Sequence, residues 1–130
     1  MAAQCFWVAL GGALGAVSRY LCGMLPFLQR GIFPLPTLLI NLAGAFLIGL
    51  IAQVAAQRGA QSSSAVLFLK VGLCGGFTTF STFSLETLGL LERGEYAIGG
   101  AYALGSLAVC VLGVVAGKML VRWALGAQAA

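Results

Sequence analysis

From Leu35 to Gln57 the chain carries no charged side chain. A helix rises about 1.5 Å per residue, so a stretch of that length crosses the roughly 30 Å hydrocarbon core of a bilayer. Charged residues make up only 8% of the 130-residue chain and 61% are hydrophobic, with a mean hydropathy of +1.04. A soluble domain this small needs far more charge to cover its surface. A soluble enzyme is therefore excluded. The absence of histidine removes zinc–histidine sites and Ser–His–Asp triads, and seven Lys and Arg in total are too few for a nucleic-acid surface. The chain reads as an integral membrane protein and not an enzyme.

Three more apolar runs flank the uncharged one: residues 5–24, 65–91 and 96–120, against 35–57 for the second. The polar turns between them contain Arg30-Gly31 with Pro34 and Pro36, then Arg58-Gly59 with Ser62-Ser63-Ser64, then Glu92-Arg93-Gly94-Glu95. The expected architecture is all-α, with four transmembrane helices forming one domain over residues 1–130 of a multi-pass protein of the cell (inner) membrane. No basic n-region precedes the first run, so a removable signal peptide is not expected. Cys5, Cys22, Cys74 and Cys110 all lie in apolar stretches and form no CxxC pair. They read as small packing residues rather than redox or metal groups.

An even number of spans puts both termini on one side, together with Arg58, Lys70, Lys118 and Arg122. Arg19, Arg30 and Arg93 fall on the other. That balance gives almost no positive-inside bias and fits insertion in both orientations, or a fixed topology with weak bias. Small residues recur four apart at Gly11/Gly15, Gly12/Ala16, Ala45/Gly49, Gly72/Gly76 and Gly113/Gly117, which lets helix backbones approach closely in lipid. Four helices enclose a pathway poorly on their own, so an oligomer is expected.

The chemistry concentrates in Gly72-Leu73-Cys74-Gly75-Gly76-Phe77-Thr78-Thr79-Phe80-Ser81-Thr82-Phe83-Ser84, with Glu86 close behind. Gly-Gly followed by Thr-Thr predicts a break near the middle of the third span. Backbone groups freed at that depth must be buried in protein or face a hydrated cavity, where carbonyls suit cations and helix N-termini suit anions. Asn41 lies in the uncharged second span, where an unpaired amide is costly; it can meet an anion or bond a neighbouring helix. Tyr102, Ser106 and Cys110 follow at i, i+4 and i+8 on one face of the fourth span. With Glu86 the only acid at depth, the donors favour an anion. The ring edges of Phe80 and Phe83, the positive part of the aromatic quadrupole, add to them.

At these residues the sequence resembles the CrcB/Fluc family of fluoride channels over essentially its whole length. The matching motifs are Gly11-Gly12-Ala13-Leu14-Gly15-Ala16 with Arg19-Tyr20, Thr37 to Gly44, and above all Gly72 to Glu86. The resemblance implies a dual-topology antiparallel homodimer with two pores that exports toxic cytoplasmic fluoride passively. It implies that Phe80 and Phe83 meet the ion with their ring edges, that Asn41 donates to it, and that Thr37 and Arg19 belong to a vestibule. Ser81, Thr82, Tyr102 and Ser106 would line a polar track near Glu86. The backbone carbonyls of Gly75 and Thr78 from both protomers would hold a structural sodium ion. Cys110 departs from the family pattern, which has a hydroxyl there, and a thiol is the weaker donor. The competing function is a small four-span proton-coupled exporter of cationic drugs, which needs a membrane-central carboxylate to alternate between proton and substrate. The first span has no acid, leaving Glu86 alone for that task. A non-transporting assembly subunit would leave Asn41 and the Thr/Ser/Phe segment without a purpose.

Overall fold

The structure is a computed structural model that describes residues 1–26, 28–29 and 31–126. Arg30, one of the charges weighed above for topology, lies outside the described residues. Helices α1 (Ala2–Gly23) and α2 (Leu35–Gln57) are the first two spans. The third span, Ser64–Glu92, is divided. Its first half, α3 (residues 64–77), contains a stretch of π-helix over Leu67–Cys74, and its second half is α4 (Phe80–Glu92). The fourth span is α5 (Tyr96–Gly126), which runs on past the apolar run and Arg122. All four are long and apolar enough to cross a membrane, and no strand occurs among the described residues.

The turns follow from local chemistry. Ser63 caps α3, its Oγ accepting the Val66 N–H at 3.3 Å. Gly59 and Gly94 have φ of +61° and +78° after α2 and α4. In each case the next N–H bonds back over the helix end, Ala60 to the Ala55 carbonyl at 2.9 Å and Glu95 to the Leu90 carbonyl at 3.0 Å. This closes the last carbonyls in the way only a left-handed residue permits.

Packing is organised by two glycine contacts. Helix α1 lies against α3, and α2 against α5. A methyl group at Gly15 would overlap the Leu73 carbonyl oxygen and stand 2.8 Å from the Phe77 nitrogen. One at Gly76 would overlap the Gly12 carbonyl oxygen. Across the other pair, a methyl at Gly49 would strike the Val114 carbonyl, and one at Gly117 the Phe46 carbonyl. Backbone thus meets backbone, and the stabilisation comes from dispersion at close range rather than from apolar burial, since lipid is as apolar as leucine. Large side chains such as Phe6, Leu14, Leu107, Leu112 and Trp123 point outward, as a bilayer allows. Tyr102, Leu90 and Cys74 are the side chains buried most completely.

The third span is broken near its middle, as the Gly-Gly-Phe-Thr-Thr segment led us to expect, but Gly75 and Gly76 precede the break. Both are helical, Gly76 serving the contact with α1. The break falls two residues later. Thr78 is extended at φ −80°, ψ 157° and Thr79 at φ −148°, ψ 115°. β-Branched threonine favours this conformation over helix.

Candidate functional site

A break at this place deprives the carbonyls of residues 75–78 of their helical donors, and the new partners of two of those donors, Thr79 and Thr82, define the site. The Thr79 N–H, which a continuous helix would give to Gly75, donates instead to Asn41 Oδ1 at 2.8 Å. Asn41 Nδ2 donates back to the Thr79 carbonyl at 3.1 Å, so the amide grips both polar groups of one residue. The Thr82 N–H, which would serve Thr78, goes to Thr79 Oγ1 at 3.1 Å and restarts the helix as an N-cap. The Gly76 carbonyl accepts Arg19 Nε at 3.1 Å. Arg19 is thereby drawn onto the break instead of reaching for the membrane surface, whereas Lys70 is exposed.

Two recesses open beside the break and share Thr79. The first, about 600 Å³, has a largely apolar wall into which Arg19, Thr37, Thr82, Glu86 and Arg93 bring polar groups. The second, about 400 Å³, is lined by Asn41, Gly75, Thr78, Phe80, Phe83, Ser106 and Cys110. Phe80 and Phe83, one turn apart on α4, stand with ring centroids 5.5 Å apart and planes tilted by 44°. Phe83 in turn lies 5.3 Å from the Tyr102 ring. Phe80 is 79% exposed, so its ring is presented beyond the single chain.

Glu86 is anchored by two hydroxyls: Thr37 Oγ1 donates to Oε1 at 2.8 Å and Tyr102 to Oε2 at 2.7 Å. Tyr102 is fully buried behind the carboxylate, with the Phe33 ring edge-on at 5.5 Å. One turn further along α5, Ser106 is 5% exposed and its Oγ has no partner among the described residues. A buried hydroxyl left without a partner costs about 1–3 kcal/mol; Ser106 belongs to the lining of the second recess. Ser81 is exposed on the outer side of α4, its Oγ 3.3 Å from Thr79 Oγ1.

The structure thus gathers Asn41, Phe80, Phe83 and Ser106 around one recess and Arg19, Thr37, Thr82 and Glu86 around the other. Tyr102 acts on Glu86, and Ser81 stands apart from both recesses. Asn41, which the sequence left free to meet an anion or to bond a neighbouring helix, does bond one: Thr79 takes one of its amide hydrogens and the other remains. Thr79 is the residue that sequence reasoning passed over, although a hydroxyl residue directly before the renewed helix at Phe80 is a helix-start signal. Gly44, where a methyl would overlap Thr78 Cγ2, was visible only as part of a motif.

The family model for "CrcB-like protein, Camphor Resistance (CrcB)" matches residues 6–118, the whole of the break and both glycine contacts included. The chain belongs to the CrcB family. Among its curated CrcB relatives, a fluoride-specific ion channel FluC of Nitrobacter winogradskyi is 50% identical, over 88% of this chain and 92% of that protein. One of Rhizobium etli, with the same name, is 43% identical over 92% of this chain and 96% of its own length. Another of Ruminiclostridium cellulolyticum is 46% identical over 88% of this chain and 89% of that protein. This CrcB chain and its relatives therefore correspond along nearly their full lengths.

Proposed function

We propose that the protein is a fluoride-selective channel through which fluoride leaves the cell passively, and that its working form is an antiparallel homodimer with a sodium ion between the protomers. The observation that carries the first part is the donor set of the second recess, in a chain whose relatives are named fluoride-specific channels. Fluoride holds its water tightly, so a path must replace those hydrogen bonds at short intervals. Asn41 has an amide hydrogen to spare, and Ser106 has a hydroxyl without a protein acceptor. Phe80 and Phe83 offer ring edges, which attract anions without trapping them. Among the described residues no carboxylate borders that recess, so the anion meets no fixed repulsion from them there.

The dimer reading is supported by what one chain leaves open. Gly75 and Phe80 are exposed beside the break, and the balanced Lys and Arg count lets a second copy insert upside down. The sodium reading is supported by the carbonyl accounting. Those of Gly75 and Thr78 have lost their helical donors, both residues border the second recess, and neutral carbonyls are hard ligands that suit a monovalent cation. Gly75 and Thr78 of two protomers would hold the ion, which supplies a positive charge between the subunits and no chemical step.

The exporter reading is not favoured. Both oxygens of Glu86 already accept hydroxyl hydrogen bonds, from Thr37 and Tyr102, and the relatives are named fluoride-specific channels. The test is fluoride loss from liposomes holding purified protein, followed with a fluoride electrode once a potassium ionophore balances charge. Fluoride efflux without chloride efflux, retained in Glu86→Gln and independent of a proton gradient, is the expected result. Flux that requires a proton gradient and disappears in Glu86→Gln would restore the exporter.

A further inference from the structure

We infer that Asn41 is a positioning residue for the cation site as well as a neighbour of the anion path: its side-chain amide holds the helix break in the one form that leaves the Gly75 carbonyl free. The inference rests on the sodium reading above and deepens it. The Thr79 N–H has two partners available to it, the Gly75 carbonyl four residues back, as in any helix, and Asn41 Oδ1, which it takes at 2.8 Å. In lipid it cannot be left without either. Deleting the amide therefore drives Thr79 back onto Gly75. That requires Thr78 to turn from ψ 157° to helical values near −42°, which swings the Thr78 carbonyl away as well. One side chain thus governs both carbonyls.

A second feature of α2 points the same way. Gly44 is three residues beyond Asn41, on the same face, and its missing side chain makes the space that Thr78 Cγ2 occupies. Helix α2 seats both extended residues, one by a grip and the other by a vacancy. No other polar side chain takes the Thr79 backbone among the described residues. Because Asn41 also lines the second recess, the anion path and the cation site share this residue.

The experiment measures thermal dissociation of the detergent-purified dimer in sodium chloride and in N-methyl-D-glucamine chloride. A ligand that binds only the folded dimer raises its midpoint by mass action, so the wild type is expected to melt several degrees higher in sodium. Asn41→Ala is expected to lose that difference. Leu112→Val, at an exposed side chain outside both recesses, is expected to keep it, as is Asn41→Asp, which retains an oxygen for the Thr79 N–H. A merely structural defect would lower both midpoints and leave their difference intact. Asn41→Ala with the full sodium difference overturns the inference and leaves the sodium reading standing. A wild type without any difference removes the sodium reading itself. If Asn41→Ala yields no dimer, Asn41→Asp decides, since loss of the difference there contradicts the role assigned to the acceptor oxygen.

Discussion

Phe80 and Phe83 differ from aliphatic side chains of similar bulk by what their ring edges carry. Isoleucine at either position keeps apolar bulk and removes the positive edge. Edge interactions of aromatic rings are on the order of 1 kcal/mol, and about 1.4 kcal/mol is tenfold in rate. Fluoride efflux from liposomes is therefore expected to fall about fivefold for Phe80→Ile and for Phe83→Ile, with the size-exclusion profile unchanged. Undiminished flux in both variants would remove the rings from the path. At this scale the sequence was informative about residue types but less so about partners. Asn41 stood out as an amide in an uncharged span, yet its bonds to Thr79 join residues 38 positions apart and depend on how two helices cross. The same is true of Glu86, whose hydroxyl partners come from α2 and α5.

Among the elements, the spans themselves were legible because hydropathy reports directly on length in lipid, and 35–57 agrees with α2 to the residue. The π-helical stretch over Leu67–Cys74 was not, because its wide turns keep the same apolar composition as an α-helix. The glycine spacings signalled close packing but not which helices would meet, and the resulting pairs, α1 with α3 and α2 with α5, make specific energetic claims. Gly76→Ala forces a methyl onto the Gly12 carbonyl and is expected to destabilise the protein by about 1–3 kcal/mol through overpacking. At Gly12 a methyl meets nothing within 4 Å, so Gly12→Ala is expected to be neutral, or stabilising by up to about 1 kcal/mol through helix propensity. Denaturant unfolding in mixed micelles compares the two. Equal destabilisation would show that the α1–α3 contact is looser than backbone against backbone.

The whole molecule raises the question of what covers the face that carries Gly75 and Phe80. A partner copy in the same orientation and one in the opposite orientation would both cover apolar surface, and charge distribution separates them. Arg58, Lys70, Lys118 and Arg122 stand against Arg19, Arg30 and Arg93, a difference of one charge where fixed topologies show a clear excess. A cysteine replacing Ala130, in a background whose four native cysteines are alanine, is therefore expected to react with impermeant reagents from both faces of the membrane in similar amounts. Two lysines appended after Ala130 should push every copy into one orientation. If the working pair is antiparallel, such copies alone carry no fluoride, and flux returns when they are produced together with copies biased the other way by added lysines in the loop between α1 and α2. Each biased chain remains foldable in this design, so the recovery reads orientation and not stability. Labelling from one face only, or full flux from a single biased orientation, would require a parallel pair instead.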